Sequence, residues 1–211
     1  LKTIGGGLTI QSCNKVETIE MPKLTAIEGG FGLSSAGSLT ALSMPLLDSV
    51  EESLVVVACR SLPASSFVTG FEALRVVGGT FQIQAVSQRV DGERDFVLPK
   101  LETVGSLYLR EMNSPVIALP RLTTIASRLT LVIMNKLHSF DVPSISKVGV
   151  SMEFNSMAAL TSLCEFSLDE KGFLGTSIAI RSALNLKQMP SWIAETASIS
   201  DTVECGTVGP I

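Results

Sequence analysis

The segment Met21–Leu33 reads MPKLTAIEGGFGL, and Met44–Val56 reads MPLLDSVEESLVV. The two segments share Met-Pro and then apolar residues at their fourth, seventh, eleventh and thirteenth positions, 23 residues apart. A fixed period of this length is typical of proteins in which each repeat is one supersecondary unit that stacks on the next. The sequence therefore predicts a repeat architecture in which single turns are not stable alone.

The strongest signal in each unit is an apolar–x–apolar triplet, which predicts a short strand with one buried face. Successive triplets are separated by 22 to 27 residues. The eight triplets are Leu8–Ile10, Phe31–Leu33, Leu54–Val56, Phe81–Ile83, Leu107–Leu109, Leu129–Leu131, Met152–Phe154 and Ile178–Ile180.

Other positions of the unit repeat in step with the triplets. A small or apolar residue follows each triplet by three positions and predicts one buried column: Cys13, Ala36, Cys59, Val86, Met112, Met134, Met157 and Ala183. A proline marks one corner of most units, where a missing backbone donor is tolerated. The pairs Gly29-Gly30 and Gly78-Gly79 mark the next corner, and we expect them to adopt positive φ angles there.

These patterns predict an all-β chain, almost free of helix, that forms a β-solenoid of about eight turns of 22–27 residues. We expect one repeat domain over residues 1–211, with a degenerate C-terminal cap at about residues 186–211. The sequence begins two thirds of the way through a unit, so we expect the N-terminal cap to be missing and further chain, or further domains, to flank the segment.

The pattern L-x-I…L-x-x-L…P-x-L-x-x-I resembles the receptor L-domain, and its clearest matches are Leu98–Leu109 and Leu119–Leu131. The resemblance implies a right-handed β-solenoid related to leucine-rich repeats, as in insulin- and EGF-receptor ectodomains and fungal GPI-anchored cell-wall proteins. It also implies disulfides near the ends of the domain, for which Cys164 and Cys205 are the candidate pair. It is a repeat pattern without a catalytic signature, so it concerns the fold more than the function.

Composition disfavours several functional classes. The formal charge is −4 and there is no run of Lys and Arg, so we expect no nucleic-acid partner. The apolar runs are too short for a bilayer, so we expect no membrane insertion by this segment. We predict no cofactor and no metal, because CxxC and HxxxH motifs are missing and the acidic loop Asp91–Asp95 is short for a calcium site. The single histidine, His138, is expected on the surface without a catalytic role.

Cys13 and Cys59 fall in the same column two turns apart. Adjacent strands lie about 4.8 Å apart, so two turns separate these residues by nearly 10 Å. That separation exceeds what a disulfide tolerates. We expect both to be unbridged thiols.

The outward positions of the triplet strands form the candidate partner-binding surface, because the core does not dictate their identity. Tyr and Arg are favoured interface anchors, although β-branched residues are also simply good strand formers. We expect the lengthened loops Ser65–Gly70 and Asp91–Asp95 to wall one edge of this surface. The candidate residues are Val55, Val57, Gln82, Gln84, Tyr108, Arg110 and Val132.

The favoured function is a non-catalytic binding or adhesion module, secreted or at a cell surface, that recognises a protein or glycan. A GPI anchor fits the resemblance. A structural scaffold in a cell wall or inside the cell stays open as an alternative, since the chain has no N-x-S/T acceptor. A carbohydrate-active β-helix enzyme is the least favoured, because Glu153 is the one acid among the outward triplet positions and glycosidic chemistry uses paired carboxylates.

Overall fold

A computed structural model describes residues 1–86, 95–163, 166, 168, 170–182, 185–196 and 203–204. The described residues are mostly strand with little helix, and they form a parallel β-solenoid of about seven turns. The predicted all-β solenoid is therefore confirmed, with about one turn fewer than expected.

All eight apolar triplets form strands of one face, which we call the triplet sheet. Its strands pair in parallel and in register, so that Phe31 lies beside Leu54 and Leu107 beside Leu129. The strands are Leu8–Gln11, Phe31–Ser34, Leu54–Val57, Val76–Gln84, Thr103–Arg110, Arg128–Val132, Ser151–Asn155 and Ser177–Arg181.

A second face precedes the triplet sheet in each turn and belongs to the same 13-stranded sheet. Two strands, Val76–Gln84 and Thr103–Arg110, run through the corner that joins the two faces. The separate strands of the second face are Thr3–Ile4, Ala26–Ile27, Ser49–Val50, Thr124–Ile125 and Lys147–Val148.

The third face follows the triplet sheet and is assembled from smaller parallel sheets. Its strands are Thr18–Glu20, Ala41–Ser43, Phe96–Val97, Val116–Ala118, Ser139–Asp141, Gln188–Met189 and Val203–Glu204. A 3₁₀ helix, Glu170–Gly172, precedes the last triplet strand. Three faces therefore surround one core, with the outer side of the triplet sheet left uncovered by other described residues.

The core is a stack of apolar columns that runs along the solenoid. The predicted column is buried from Ala36 to Met157, with Met134 fully inaccessible to solvent. Cys13 is only half-buried, as are Leu8 and Ile10, because the first turn has a neighbour on one side only. Ala183 lies outside the described residues. The Cys13 and Cys59 thiols are both free.

The corner after each triplet strand has a left-handed backbone, and no glycine occupies it. The φ angles at this corner lie between 52° and 58°, and even the β-branched Ile133 adopts one of 56°. From the first turn to the seventh, the backbone N–H of the corner residue donates to the carbonyl oxygen of the last residue in the next triplet strand, over 2.9–3.1 Å. The ladder between turns therefore continues around the corner and stabilises a conformation that non-glycine residues rarely adopt. The eight residues are Ser12, Ser35, Ala58, Ala85, Glu111, Ile133, Ser156 and Ser182.

The prediction that corner glycines supply positive φ angles was wrong. No described glycine has φ in the left-handed region. A Cβ on Gly78 would lie 2.0 Å from the carbonyl oxygen of Glu51, and one on Gly149 would lie 1.9 Å from that of Ala126. These glycines are needed because the backbones of neighbouring turns approach each other closely at this corner.

The expected loop at Ser65–Gly70 is an α-helix on the third face. It lies between the strands Ala41–Ser43 and Phe96–Val97, in the place of a strand, and the carbonyl of Gly70 accepts the N–H of Met44 over 2.8 Å. Phe67 is buried and packs on Phe96, with ring centroids 5.3 Å apart. The insertion therefore fills the core and does not wall the triplet sheet.

A short helix, Ser191–Thr196, follows the strand Gln188–Met189. Ile193 is fully buried, and the indole Nε1 of Trp192 donates to the carbonyl of Leu168 over 3.1 Å. The Trp192 ring also packs on Phe173 at a centroid distance of 5.9 Å. This helix falls within the stretch predicted to be a degenerate cap, and the extent of that cap stays a prediction.

Candidate binding surface

The outward side chains of the triplet sheet stand in three columns, since parallel in-register pairing places equivalent residues directly beside one another. The leading column comprises Thr80, Ser106, Arg128, Ser151 and Ser177; the middle column comprises Val55, Gln82, Tyr108, Thr130, Glu153 and Ala179; the trailing column comprises Val57, Gln84, Arg110, Val132, Asn155 and Arg181.

The seven predicted partner-binding residues occupy two adjacent columns on one continuous surface. Val55, Gln82 and Tyr108 are successive members of the middle column. Val57, Gln84, Arg110 and Val132 are successive members of the trailing column. All seven are half-buried, so each keeps part of its side chain accessible to a partner.

Polar contacts hold several of these side chains in place. The Gln82 amide donates to the Gln84 side-chain oxygen over 3.3 Å. Arg110 donates through Nε to a Glu111 carboxylate oxygen over 2.9 Å. The pKa of the Arg110 guanidinium is raised, first by the neighbouring Tyr108 side chain and then by Glu111. Tyr108 and Arg110 therefore both lie on the outward surface, and their use as one binding anchor stays a prediction.

A hollow of about 400 Å³ lies on the leading side of Tyr108. It forms where short serine and threonine side chains are flanked by longer side chains. The short members are Thr80, Ser106, Thr130 and Ser151; the long members are Gln82, Tyr108, Arg128 and Glu153; Leu107 also contributes to the lining.

Sequence reasoning found only part of this hollow. Gln82 and Tyr108 were among the predicted binding residues, and Thr130 and Glu153 belong to the same outward column. The leading column was missed, because it precedes the apolar triplet that marks each strand. Residues two positions apart in a strand share a face, and this rule places Ser106 and Arg128 beside Tyr108 and Thr130.

A more open depression of about 320 Å³ lies on the same sheet in the first turns. Its floor includes Gly30 and Gly32, and its rim includes Glu52 and Val55. Because glycine has no side chain, the surface in these first turns is flatter than the middle of the sheet around Tyr108.

Several predictions fall away from this surface or outside the described residues. His138 is exposed and precedes Ser139–Asp141 on the third face. Cys164, Cys205 and residues 91–94 lie outside the described residues, while Asp95 is exposed. Within the described ranges, no group of three His, Cys, Asp or Glu side chains is placed to hold a metal ion. None of the described helices has the length and apolar character needed to cross a membrane.

Comparisons with protein-family models, with curated proteins and with solved structures give no match to this chain.

Proposed function

We propose that this chain is a non-catalytic binding module that recognises a protein or glycan, at a cell surface or after secretion, through its triplet sheet. The observation that carries the proposal is the Tyr108–Arg110 pair on an otherwise uncovered sheet. Aromatic and arginine side chains are the residues most enriched among interface hot spots. The resemblance to receptor L-domains adds support, since that family meets ligands on this kind of sheet face.

The surroundings of the pair also favour a binding role. Val57 and Val132 lie in the same column as Arg110 and place apolar atoms beside the charged group. Arg110 is already held by Glu111, so less side-chain freedom is lost when a partner contacts it. Pre-positioning of this kind raises affinity by lowering the entropic cost of association.

The hollow favours binding over glycoside hydrolysis. Glu153 is the single carboxylate in its lining. Glycosidases generally use two carboxyl groups about 5–9.5 Å apart, on either side of the scissile bond. The chain's one histidine, His138, belongs to another face of the solenoid.

The test compares two double variants on arrays of immobilised glycans and of purified extracellular protein domains. Tyr108→Ala/Arg110→Ala removes the anchor pair. Lys100→Ala/Arg121→Ala removes two exposed cations from the proline corners and serves as the matched control. Loss of an aromatic–arginine anchor should weaken binding by about 2 kcal/mol, roughly thirtyfold, and the control should bind like the parent.

Normal binding by the Tyr108/Arg110 variant, together with lost binding by the control, would move the site to another face. If the parent binds no probe on either array, the structural-scaffold alternative is favoured. Circular dichroism spectra that match the parent's should accompany both variants, because the comparison requires an intact solenoid.

A further inference from the structure

We propose that the hollow beside Tyr108 is a subsite for a neutral saccharide of one or two rings. The inference rests on the proposed binding function and deepens it by assigning a ligand class to the leading side of the sheet. Arg110, Val57 and Val132 lie on the trailing side. Tyr108 borders both parts, so substitutions at Arg128 and Glu153 test the hollow separately from Arg110.

The dimensions of the hollow suit a small ligand. Its volume of about 400 Å³ falls near the lower end of the range of about 300–1,000 Å³ that is usual for ligand pockets. Tyr108 contributes a rigid amphipathic ring at one side. Such a ring can pack against the C–H face of a sugar while polar neighbours contact its hydroxyl groups.

The polar lining matches a ligand that both donates and accepts hydrogen bonds. Four serine and threonine hydroxyls and the Gln82 amide can do either. Arg128 adds donors, and Glu153 adds acceptors. A polyhydroxylated ring presents both kinds of group at every carbon that bears a hydroxyl, so it can satisfy this mixture.

The charged side chains of the hollow are available for a ligand. Arg128 is exposed and Glu153 half-exposed. Among the described residues, neither makes an ion pair or a side-chain hydrogen bond. The hydroxyls of Ser106, Thr130 and Ser151 likewise have no hydrogen-bond partner in the described part of the chain. These groups are accessible to solvent, and a saccharide could offer them fixed hydrogen bonds.

Charge selects the class of saccharide. The lining carries one cation, Arg128, and one anion, Glu153, so its formal charge is balanced. An acidic polysaccharide or a nucleic acid requires an excess of positive charge at its contact surface. A neutral sugar requires none, and a charged donor and a charged acceptor both form strong hydrogen bonds with hydroxyl groups.

The experiment titrates the intact chain with a panel of neutral disaccharides, cellobiose, maltose, mannobiose and chitobiose, and with the acidic trisaccharide sialyllactose. Saturation-transfer NMR detects contact, and calorimetry gives the affinity. Glu153→Ala and Arg128→Ala each remove one charged contact. Asn155→Ala lies on the same strand and face as Glu153 but outside the hollow, and is the matched control.

We expect at least one neutral disaccharide to bind. Glu153→Ala and Arg128→Ala should each weaken that binding by about tenfold or more, the loss typical of a hydrogen bond to a charged group. Asn155→Ala should bind within about twofold of the parent, and Tyr108→Phe should keep most of the affinity because the ring remains.

Three results would overturn the inference: no disaccharide binds at millimolar concentration, only sialyllactose binds, or the Glu153 and Arg128 variants bind like the parent. The proposed function fails on different evidence. A protein ligand that depends on Tyr108 and Arg110, found alongside a hollow that binds no sugar, would end the saccharide assignment and leave the binding function intact.

Discussion

Substitution of Gly149 by alanine tests the close contact between neighbouring turns. The new Cβ would lie 1.9 Å from the carbonyl oxygen of Ala126, whereas an ordinary contact is 3.4 Å or more. The peptide group between Ala126 and Ser127 must therefore retreat by about 1.5 Å, the difference between these two distances. The obstacle is backbone, so no rotamer change can relieve it.

The cost can be worked from the hydrogen bonds of this peptide group and of the next one along the chain. Ser127 donates to Gly105 over 2.7 Å, and its own carbonyl accepts the N–H of Val150 over 2.7 Å. Loss of these two bonds at about 0.5–1.5 kcal/mol each, with added strain, gives a destabilisation of about 2–4 kcal/mol. For a chain of this size, that lowers the melting temperature by roughly 4–16 °C.

Gly6→Ala is the matched control, because a Cβ at Gly6 has no atom within 4 Å. Its free energy of unfolding should stay within about 1 kcal/mol of the parent's. Thermal melts and urea titrations followed by circular dichroism measure both variants. If Gly149→Ala melts together with Gly6→Ala and the parent, the turns do not approach each other as closely as described.

Three further substitutions or reactions test the core. Met134→Asp should unfold the chain or destabilise it severely, because it places a charge at a fully buried position. The control Met134→Leu should lower the free energy of unfolding by less than about 1.5 kcal/mol. A melting temperature like the parent's for the aspartate variant would show that the assigned register is wrong. Ser114→Ala should raise the free energy of unfolding by about 1 kcal/mol, because the buried Ser114 hydroxyl has no hydrogen-bond partner among the described residues. Urea titration measures the change, and a lower free energy of unfolding for the variant would show that the hydroxyl does have a hydrogen-bond partner. Burial raises the pKa of the Cys59 thiol, so Cys59 should react slowly with an alkylating reagent at pH 8. Mass spectrometry of the native protein should therefore find the half-buried Cys13 labelled long before Cys59. Equal labelling of the two thiols would contradict the burial of Cys59.

Periodicity predicted the solenoid because the core repeats with the sequence. Each apolar triplet formed a strand, and the position three residues later is buried from Ala36 to Met157, while Cys13 in the first turn is half-buried. Ser114 is an exception that this periodicity does not predict. It lies beside Leu137 in register, since Val116 pairs with Ser139, yet it is polar and fully buried. No repeat pattern predicts a serine in a leucine column.

The corners were not predictable from single residues, because their geometry depends on the neighbouring turn. Ser12 and Ile133 have left-handed backbones that their own propensities disfavour, and hydrogen bonds to the next strand hold them there. Ser65–Gly70 has too few residues for a reliable helical period, and only its packing on Phe96 shows why it is helical. The candidate surface was predicted in its middle and trailing columns, while Arg128 and Ser151 were missed because they precede the triplets, and the strand pairing places them side by side.

The glycine corners have a consequence for how such a chain can evolve. Gly29 is required because its Cβ would lie 2.7 Å from backbone atoms of Gly6 and Gly7, and Gly105 because its Cβ would lie 2.5 Å from Gly78. The substitutions that one turn accepts are thus set by the turn before it. A turn duplicated or moved to a new place by recombination would meet a different neighbour. Successful rearrangements should therefore transfer adjacent turns together, with the contact between them preserved.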